Sequence, residues 1–499
     1  MTLDIPQASE WMALMRFSSP LIAVFAASCA ALALSALAGD DESPSAPWVV
    51  VAGLAASFAI SWRLWPEAEG ARIAMVSLDR LSLVAWMLLA LSGLAASALA
   101  IGGSRPPGGK LRGDFFALIG FCVFGMGVLA SAGDLVSILI GLETMSLAAY
   151  SLAGYTKSRA ASLEGALKYF LMGAFATAFF AMGVAFIVGS AGTTDLALLS
   201  ERASEVATGE GRAFFLFGCA MAAVGFAFKV AAVPFHAWAP DAYEGAPTPV
   251  TQLMATGVKA AAFFAFARFS LSVAAHAGLV WQHLIFALSV ATMVVGNLAA
   301  IRQDNLKRML AYSSIAHAGY ILVVFPSLLA DPAGFLRAAV LYLVAYVVMT
   351  AGAFASVWAI ECEEGSGNAP GDGCDIHIIA GMGRRRPWLA AAFTLFLLSL
   401  AGFPPTLGFF GKYYLFAAAV RAGDLGLVVI ALVATVVSVY FYLRPVVVMY
   451  FRDGKQEKSA SSLSPSAVAV LAIAAAAAVV FGIFRSEERR VGKECRSRW

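Results

Sequence analysis

An all-α, polytopic membrane protein of about fourteen transmembrane helices is the fold class this chain predicts, on three observations. Only 13% of its 499 residues are charged and 61% are hydrophobic, whereas a soluble domain carries roughly twice that charged fraction. Mean hydropathy is +0.81, and apolar runs follow one another with little between them. Each long run is near the ~20 residues that a helix needs to cross a bilayer. None alternates apolar and polar residues as the strands of a spanning barrel would.

Taken in order, the first run, 18–38, is long enough to span, and no small-residue cleavage site ends it, so it reads as a retained helix and not a signal peptide. Spans follow at 47–65, 80–102 and 115–132. The next four, 134–155, 163–190, 213–243 and 248–275, each hold an ionisable residue: Glu143, Lys168, Lys229 and Lys259. Then come 279–301, 305–327 with His317, 332–360, 386–420 with Lys412, 424–451 and 464–484. The seventh and twelfth spans are too long for one straight crossing and contain Pro234 and the pair Pro404 and Pro405. Proline removes a backbone donor, and irregular backbone at membrane depth is tolerated only inside protein or beside a wet cavity. Two interrupted spans in corresponding places mark an inverted-repeat transporter. The expected division is therefore 1–112 for three N-terminal helices, 113–275 for a first five-helix repeat (spans four to eight), 276–452 for a second (spans nine to thirteen), and 453–484 for the last helix. A plain proline kink is the simpler reading of each break, but it does not account for a lysine beside both.

Orientation follows from Lys and Arg in short loops. One set holds Arg105, Lys110, Arg112, Lys157, Arg159, Arg302, Lys307, Arg308, Arg384, Arg385, Arg386, Arg452, Lys455 and Lys458; the opposite set is poorer, with Arg16, Arg63, Arg72, Arg80, Arg202, Arg212, Arg337 and Arg421. The richer set is expected to be cytoplasmic, which places both termini outside. The 361–385 loop, the longest polar insertion, falls on the cytoplasmic side and offers a surface to a partner. The six cysteines, Cys29, Cys122, Cys219, Cys362, Cys374 and Cys495, form no C-x-x-C pair and no zinc or iron–sulfur spacing. No phosphate-binding glycine loop occurs in the right setting. The expectation is a chain with no redox centre, no metal and no nucleotide site, and no nucleic-acid partner.

The informative residues are those that a membrane helix should not contain. Glu143 lies nine residues into its span, roughly 14 Å deep at 1.5 Å per residue. An ionisable group at the bilayer centre costs at least ~2.5–3.5 kcal/mol. Glu164, one turn before Lys168, is a ready static partner for it. Glu143 with one lysine is an equally ordinary register-fixing pair. The set as a whole resists that reading, because lysines outnumber carboxylates at mid-depth. A buried amine without a counter-ion gives up its proton near neutral pH, which suits a relay. His317 is mid-span and suits a link between two half-pathways or a hydrogen-bonded structural role. His236, just after the seventh-span break, reads as a second relay or a cap.

These residues sit in segments with a specific resemblance. GLETMSLAAYSL and EGALKYFLMGAF resemble the fifth and sixth helices of the antiporter-like, proton-translocating subunits of respiratory complex I (NADH:quinone oxidoreductase). FKVAAVPFHAWAPDAYEGAPTPVT resembles their broken seventh helix and GVKAAAFFAFAR the eighth, features shared with the M and L subunits and with multisubunit sodium/proton antiporters. NLKRMLAYSSIAHAGY and GFPPTLGFFGKYYLF are closer to the N-subunit family, as is Lys412, where the M subunit has a glutamate. The resemblance covers spans two to fourteen.

By that resemblance, Glu143 and Lys168 form a coupling pair, Lys229 and Lys259 the first half-channel, and Lys412 the exit-side site, with His317 between. Pro234, Pro404 and Pro405 mark the gating breaks. NADH, FMN, iron–sulfur clusters and quinone would belong to other subunits, with no cofactor on this chain. Its neighbours would be the M subunit and the small K and J subunits in a bacterial inner membrane. A sodium/proton antiporter or membrane-bound hydrogenase subunit is the nearest rival, distinguished by its neighbouring genes. A structural subunit with a dead channel is hard to square with so many charges, and a solute carrier would need a substrate cavity.

The last fifteen residues, 485–499, RSEERRVGKECRSRW, carry a net charge of +3, the whole formal charge of the chain. They show no apolar periodicity and set a basic cluster on the outer side, against the positive-inside trend. They also resemble one reading frame through a common sequencing adapter, so the segment is expected to be a non-native tail.

Overall fold

The computed structural model describes residues 8–39, 43–68, 71–73, 75–102, 112–206, 209, 211–364, 374–454 and 463–483. The 485–499 tail and residues 365–373 of the polar loop lie outside them.

The chain is a helical bundle. It opens with α1 (Ala8–Ala38), α2 (Ala46–Leu64), α3 (Arg80–Gly102), α4 (Gly113–Ala130), α5 (Leu135–Ala153) and α6 (Ala160–Ala191). After the short α7 (Leu196–Val206) come α8 (Arg212–Val230), α9 (Trp238–Gly245) and α10 (Thr248–Leu253). A π turn, Met254–Val258, leads into α11 (Lys259–Ile301), which bends at Gly278, where φ is 55° and ψ −136°. The remainder is α12 (Leu306–Leu322), α13 (Pro332–Glu364), α14 (Met382–Arg385), α15 (Pro387–Ala401), α16 (Leu407–Arg421), α17 (Leu425–Phe451) and α18 (Pro465–Ile483).

Thirteen stretches are long and apolar enough to span among the described residues. The expected twelfth, 386–420, is missing from that set because it is two half-helices, α15 and α16, of 15 residues each. The seventh span is likewise divided into α8 and α9. Two features were not read from the sequence. One is α7. The other is a small hairpin pairing β1 (Ala71–Ile73) with β2 (Val76–Leu78) antiparallel.

Close helix contact in lipid depends on small residues. Gly183 of α6 shows why: a methyl there would stand 2.6 Å from the Gly218 carbonyl oxygen of α8. Lipid-type surface remains outside, with Phe175 71% and Val436 72% exposed. At the end opposite the Lys- and Arg-rich loops, Arg268 clamps three helices. It donates to the Ala130 carbonyl (2.9 Å), to both Asp79 oxygens (2.9 and 2.6 Å) and to Ser82 Oγ (2.8 Å). Burial pushes the Asp79 carboxyl up, but the guanidinium and the Ser82 donors outweigh it and hold the group below its ordinary 3.8.

Arg268→Ala is expected to destabilise the protein by about 1–3 kcal/mol, since it takes the cation from a half-buried carboxylate, which keeps only its Ser82 donors, and removes the donor of the Ala130 carbonyl. Thermal unfolding in detergent measures the loss. Asp79 is ionised more readily folded than unfolded, so the clamp's contribution is complete above the ordinary carboxylate range. It fades as pH falls through the lowered value, and the difference between variant and parent should shrink there.

Candidate functional site

The break after α8 re-pairs the backbone N–H groups at its start. Ala231 takes a left-handed conformation (φ 58°), and its N–H and that of Ala232 turn back to Phe228 (3.0 Å) and Ala227 (2.7 Å). The Val233 N–H is taken by Thr292 Oγ1 at 3.0 Å, and Trp238 Nε1 donates to the Phe228 carbonyl at 3.1 Å. The Val233–Pro234 and Pro404–Pro405 peptides are both cis. His236 lies in the break with its Nδ1 buried and unpartnered.

Lys229 occupies the last turn of α8, where a cation complements the helix dipole. It is 2% exposed. Its Nζ donates to Tyr150 Oη (3.3 Å) and lies 5.1–5.3 Å from the ring centres of Tyr150, Tyr169 and Phe228. Aromatic faces thus hold the ammonium in place of a carboxylate. Tyr169 is itself fixed by stacking on Trp238 at 4.1 Å.

Glu143 accepts a hydrogen bond from Thr177 Oγ1 of α6 (2.5 Å). It lies seven residues before Tyr150 on α5, about two turns away on the same side. Lys168 is elsewhere. It is half-exposed, 45%, and bonds Glu164 Oε1 (2.6 Å) and Asp241 Oδ2 (2.7 Å). Asp241 is shared with Arg308 (2.7 Å), which also bonds Glu244 (2.7 Å). The resemblance pairs Glu143 with Lys168; in this structure the two form no ion pair. α5 and α6 run antiparallel, and Glu143 meets α6 at Thr177, nine residues or about 14 Å along the helix from Lys168.

The centre of the bundle holds the other three candidates. Lys259, 1% exposed, follows the π turn and donates to the Ser314 carbonyl (2.7 Å) and to Ser314 Oγ (2.5 Å). Ser314 Oγ in turn meets Tyr346 Oη at 2.8 Å. One turn along α12, His317 is 1% exposed and lies between two phenols, Nδ1 2.6 Å from Tyr342 and Nε2 3.0 Å from Tyr442. Tyr442 also bonds Ser313.

The second break exposes the carbonyl end of α15. Gly402 turns the chain at φ 90°, a conformation that favours glycine, and the N–H groups of Gly402 and Phe403 both return to the Leu398 carbonyl at 3.0 Å. The freed Ala401 carbonyl accepts from Lys412 Nζ at 3.1 Å. That ammonium also sits 4.6 Å over the ring of Tyr320, whose Oη accepts from Asn297. Lys412 is 4% exposed.

Lys229, Lys259, His317 and Lys412 are thus all buried, and each is held by hydroxyls, aromatic rings or carbonyls. The sequence reading missed the partners: Tyr150, Ser314, Tyr342, Tyr346, Tyr442 and Asp241. The pair Tyr342 and Tyr346, one turn apart in a mostly apolar span, was the available signal. Among the described residues no group of three or more His, Cys, Asp or Glu side chains is placed to hold a metal.

A helical bundle with two broken spans and buried amines, each held by hydroxyls, aromatic rings or carbonyls, is the construction of an ion-translocating membrane protein. Residues 132–438 match the family described as NADH:quinone oxidoreductase/Mrp antiporter, transmembrane. The chain belongs to this family. It is 43% identical to NADH-quinone oxidoreductase subunit N of Trichlorobacter lovleyi over 75% of each protein. To the subunit N of Salinibacter ruber it is 40% identical, over 89% of this chain and 88% of the relative. Among solved structures it is similar to a chain of respiratory complex I from Thermus thermophilus with bound aureothin, at 35% identity and a TM-score of 0.77, covering 92% of this chain and 97% of that one. A chain of the Mrp complex from Dietzia shares the fold, with a TM-score of 0.76 at 23% identity over 90% and 82% of the two chains.

Proposed function

We infer that this chain is a proton-translocating membrane subunit of NADH:quinone oxidoreductase, of the subunit N kind. The observation that carries the reading is the buried set Lys229, Lys259, His317 and Lys412, in a chain 40–43% identical to named N subunits over three quarters or more of its length. Electron transfer from NADH to quinone drives the pumping. NADH, FMN, iron–sulfur clusters and quinone belong to other subunits, so this chain carries protons and no redox chemistry.

A proton on Lys259 Nζ has Ser314 Oγ as its nearest acceptor, and Tyr346 lies beyond. His317 accepts on one ring nitrogen and donates from the other, which suits a link between phenols. Lys412 receives the proton at the second break. Charge at Glu143 acts on the ammonium caged by Tyr150 through low-dielectric protein. Lys168, held by Glu164 and Asp241, gates the cytoplasmic end of that group.

Residues 113–275 and 276–452 form two inverted repeats, each with one broken helix. Both termini face the periplasm of a bacterial inner membrane, and the M, K and J subunits are the neighbours. A sodium/proton antiporter or membrane-bound hydrogenase subunit is the second reading, favoured by the fold shared with the Mrp chain. Purification through an affinity tag on this chain separates the two. Co-purification of NADH-oxidising and other complex I subunits, with quinone-dependent NADH oxidation, is the expected result. Recovery of antiporter or hydrogenase subunits without that activity overturns it.

A further inference from the structure

A second set of buried polar groups runs along the helix that carries Lys259. Thr248, Gln252, Thr256 and Lys259 are spaced by four, four and three residues, so they stack on one face. This stretch packs between α3 and α13. At the end of the bundle with the Lys- and Arg-rich loops, Thr248 donates to Glu361 Oε2. Lys307 lies 3.6 Å from Glu361 Oε1, which also accepts from Cys374 Sγ at 2.9 Å, and the Glu361 side chain is 19% exposed.

Deeper in, Gln252 Nε2 donates to Thr256 Oγ1 at 3.0 Å, and Thr256 shares a 2.5 Å hydrogen bond with Ser92 of α3. Gln252 is 0% exposed, yet its Oε1 has no partner, and neither has the buried Oγ of Ser97 on α3. Buried acceptors of this kind are the groups that hold internal water. The π turn Met254–Val258, which contains Thr256 and leads directly into Lys259, interrupts the α-helical ladder, as such turns do at functional sites.

We propose that Glu361, Thr248, Gln252 and Thr256 form a proton-uptake file from the Lys- and Arg-rich end of the bundle to Lys259. The proposal rests on the proton-translocating reading above. A proton binds the Glu361 carboxylate from outside water and passes to the Thr248 hydroxyl, which hands on its own. Water held on Gln252 Oε1 carries the proton to the Thr256 hydroxyl and then to the neutral amine of Lys259, which becomes an ammonium. Gln252 is a positioning residue, because its amide orients the water and does not itself exchange the proton. Lys307 holds the Glu361 carboxylate at the mouth.

The test uses the intact complex in inverted membrane vesicles, with NADH-driven acidification normalised to assembled complex. Gln252→Leu and Thr256→Val are expected to lower pumping about tenfold, equivalent to about 1.4 kcal/mol on the transfer barrier. Gln252→Glu and Thr256→Ser, which still bind water, should retain most of it; a merely structural role would make the isosteric Thr256→Val the milder change. Glu361→Gln gives the same readout at the mouth, where packing is unaffected. Lys259→Ala is run beside them. Full pumping in Gln252→Leu, Thr256→Val and Glu361→Gln, with Lys259→Ala inactive, overturns the file and leaves the parent reading standing. Full pumping in Lys259→Ala overturns both.

Discussion

Lys229→Ala is expected to abolish NADH-driven proton uptake into vesicles, with coupled turnover falling at least tenfold while the complex still assembles. The amine is enclosed by Tyr150, Tyr169 and Phe228, and alanine leaves nothing there that can carry a proton. Assembly should survive because the deletion removes a buried cation that costs ~2.5–3.5 kcal/mol to place in a membrane. Tyr150 loses one partner only. Glu143→Ala should produce a similar loss through a different cause. It takes away the charge that acts on Lys229 and leaves Thr177 to bond its own helix, as Thr292 does. Native gels report assembly and a pH-sensitive dye reports uptake. Undiminished pumping in either assembled variant would remove that residue from the pathway.

Lys412 offers a graded test. Lys412→Glu is expected to keep a substantial part of the pumping and Lys412→Leu to lose it. The ammonium fills a need created by the break: the Ala401 carbonyl, freed where α15 ends at Gly402, accepts its proton at 3.1 Å. A glutamic acid side chain also carries a proton that it can donate there and release, and the resemblance to the M subunit, which has glutamate at this place, points the same way. Leucine can do neither, and it leaves a buried carbonyl unpaired at a cost of about 1–3 kcal/mol. The two variants are similar in size, so a packing effect would weaken both alike. Equal loss of proton uptake in Glu and Leu variants would count against a relay role at this position.

The amino-acid sequence by itself determined the bundle, the apolar crossings, the two broken spans and three of the charges that the fold buries, Lys229, Lys259 and Lys412, but not Lys168, which is half-exposed. Each of these depends on what is local in the chain. An apolar run of span length has nowhere to go but the membrane, and a proline removes its donor wherever it stands. The same local logic foretold the Glu164–Lys168 contact, one turn apart on α6. What only the tertiary structure decided is who meets whom across helices. Glu143 faces Thr177 and not Lys168, because the vertical register of antiparallel α5 and α6 sets partners far apart in sequence. The cage around Lys229 comes from α5, α6 and α8, and the phenols around His317 from α13 and α17. Nor does hydropathy distinguish a tyrosine that faces lipid from one that faces a lysine. Hydrophobic length is a sum along the chain, whereas a hydrogen bond needs two atoms within about 3 Å, and that distance exists only once the helices have packed.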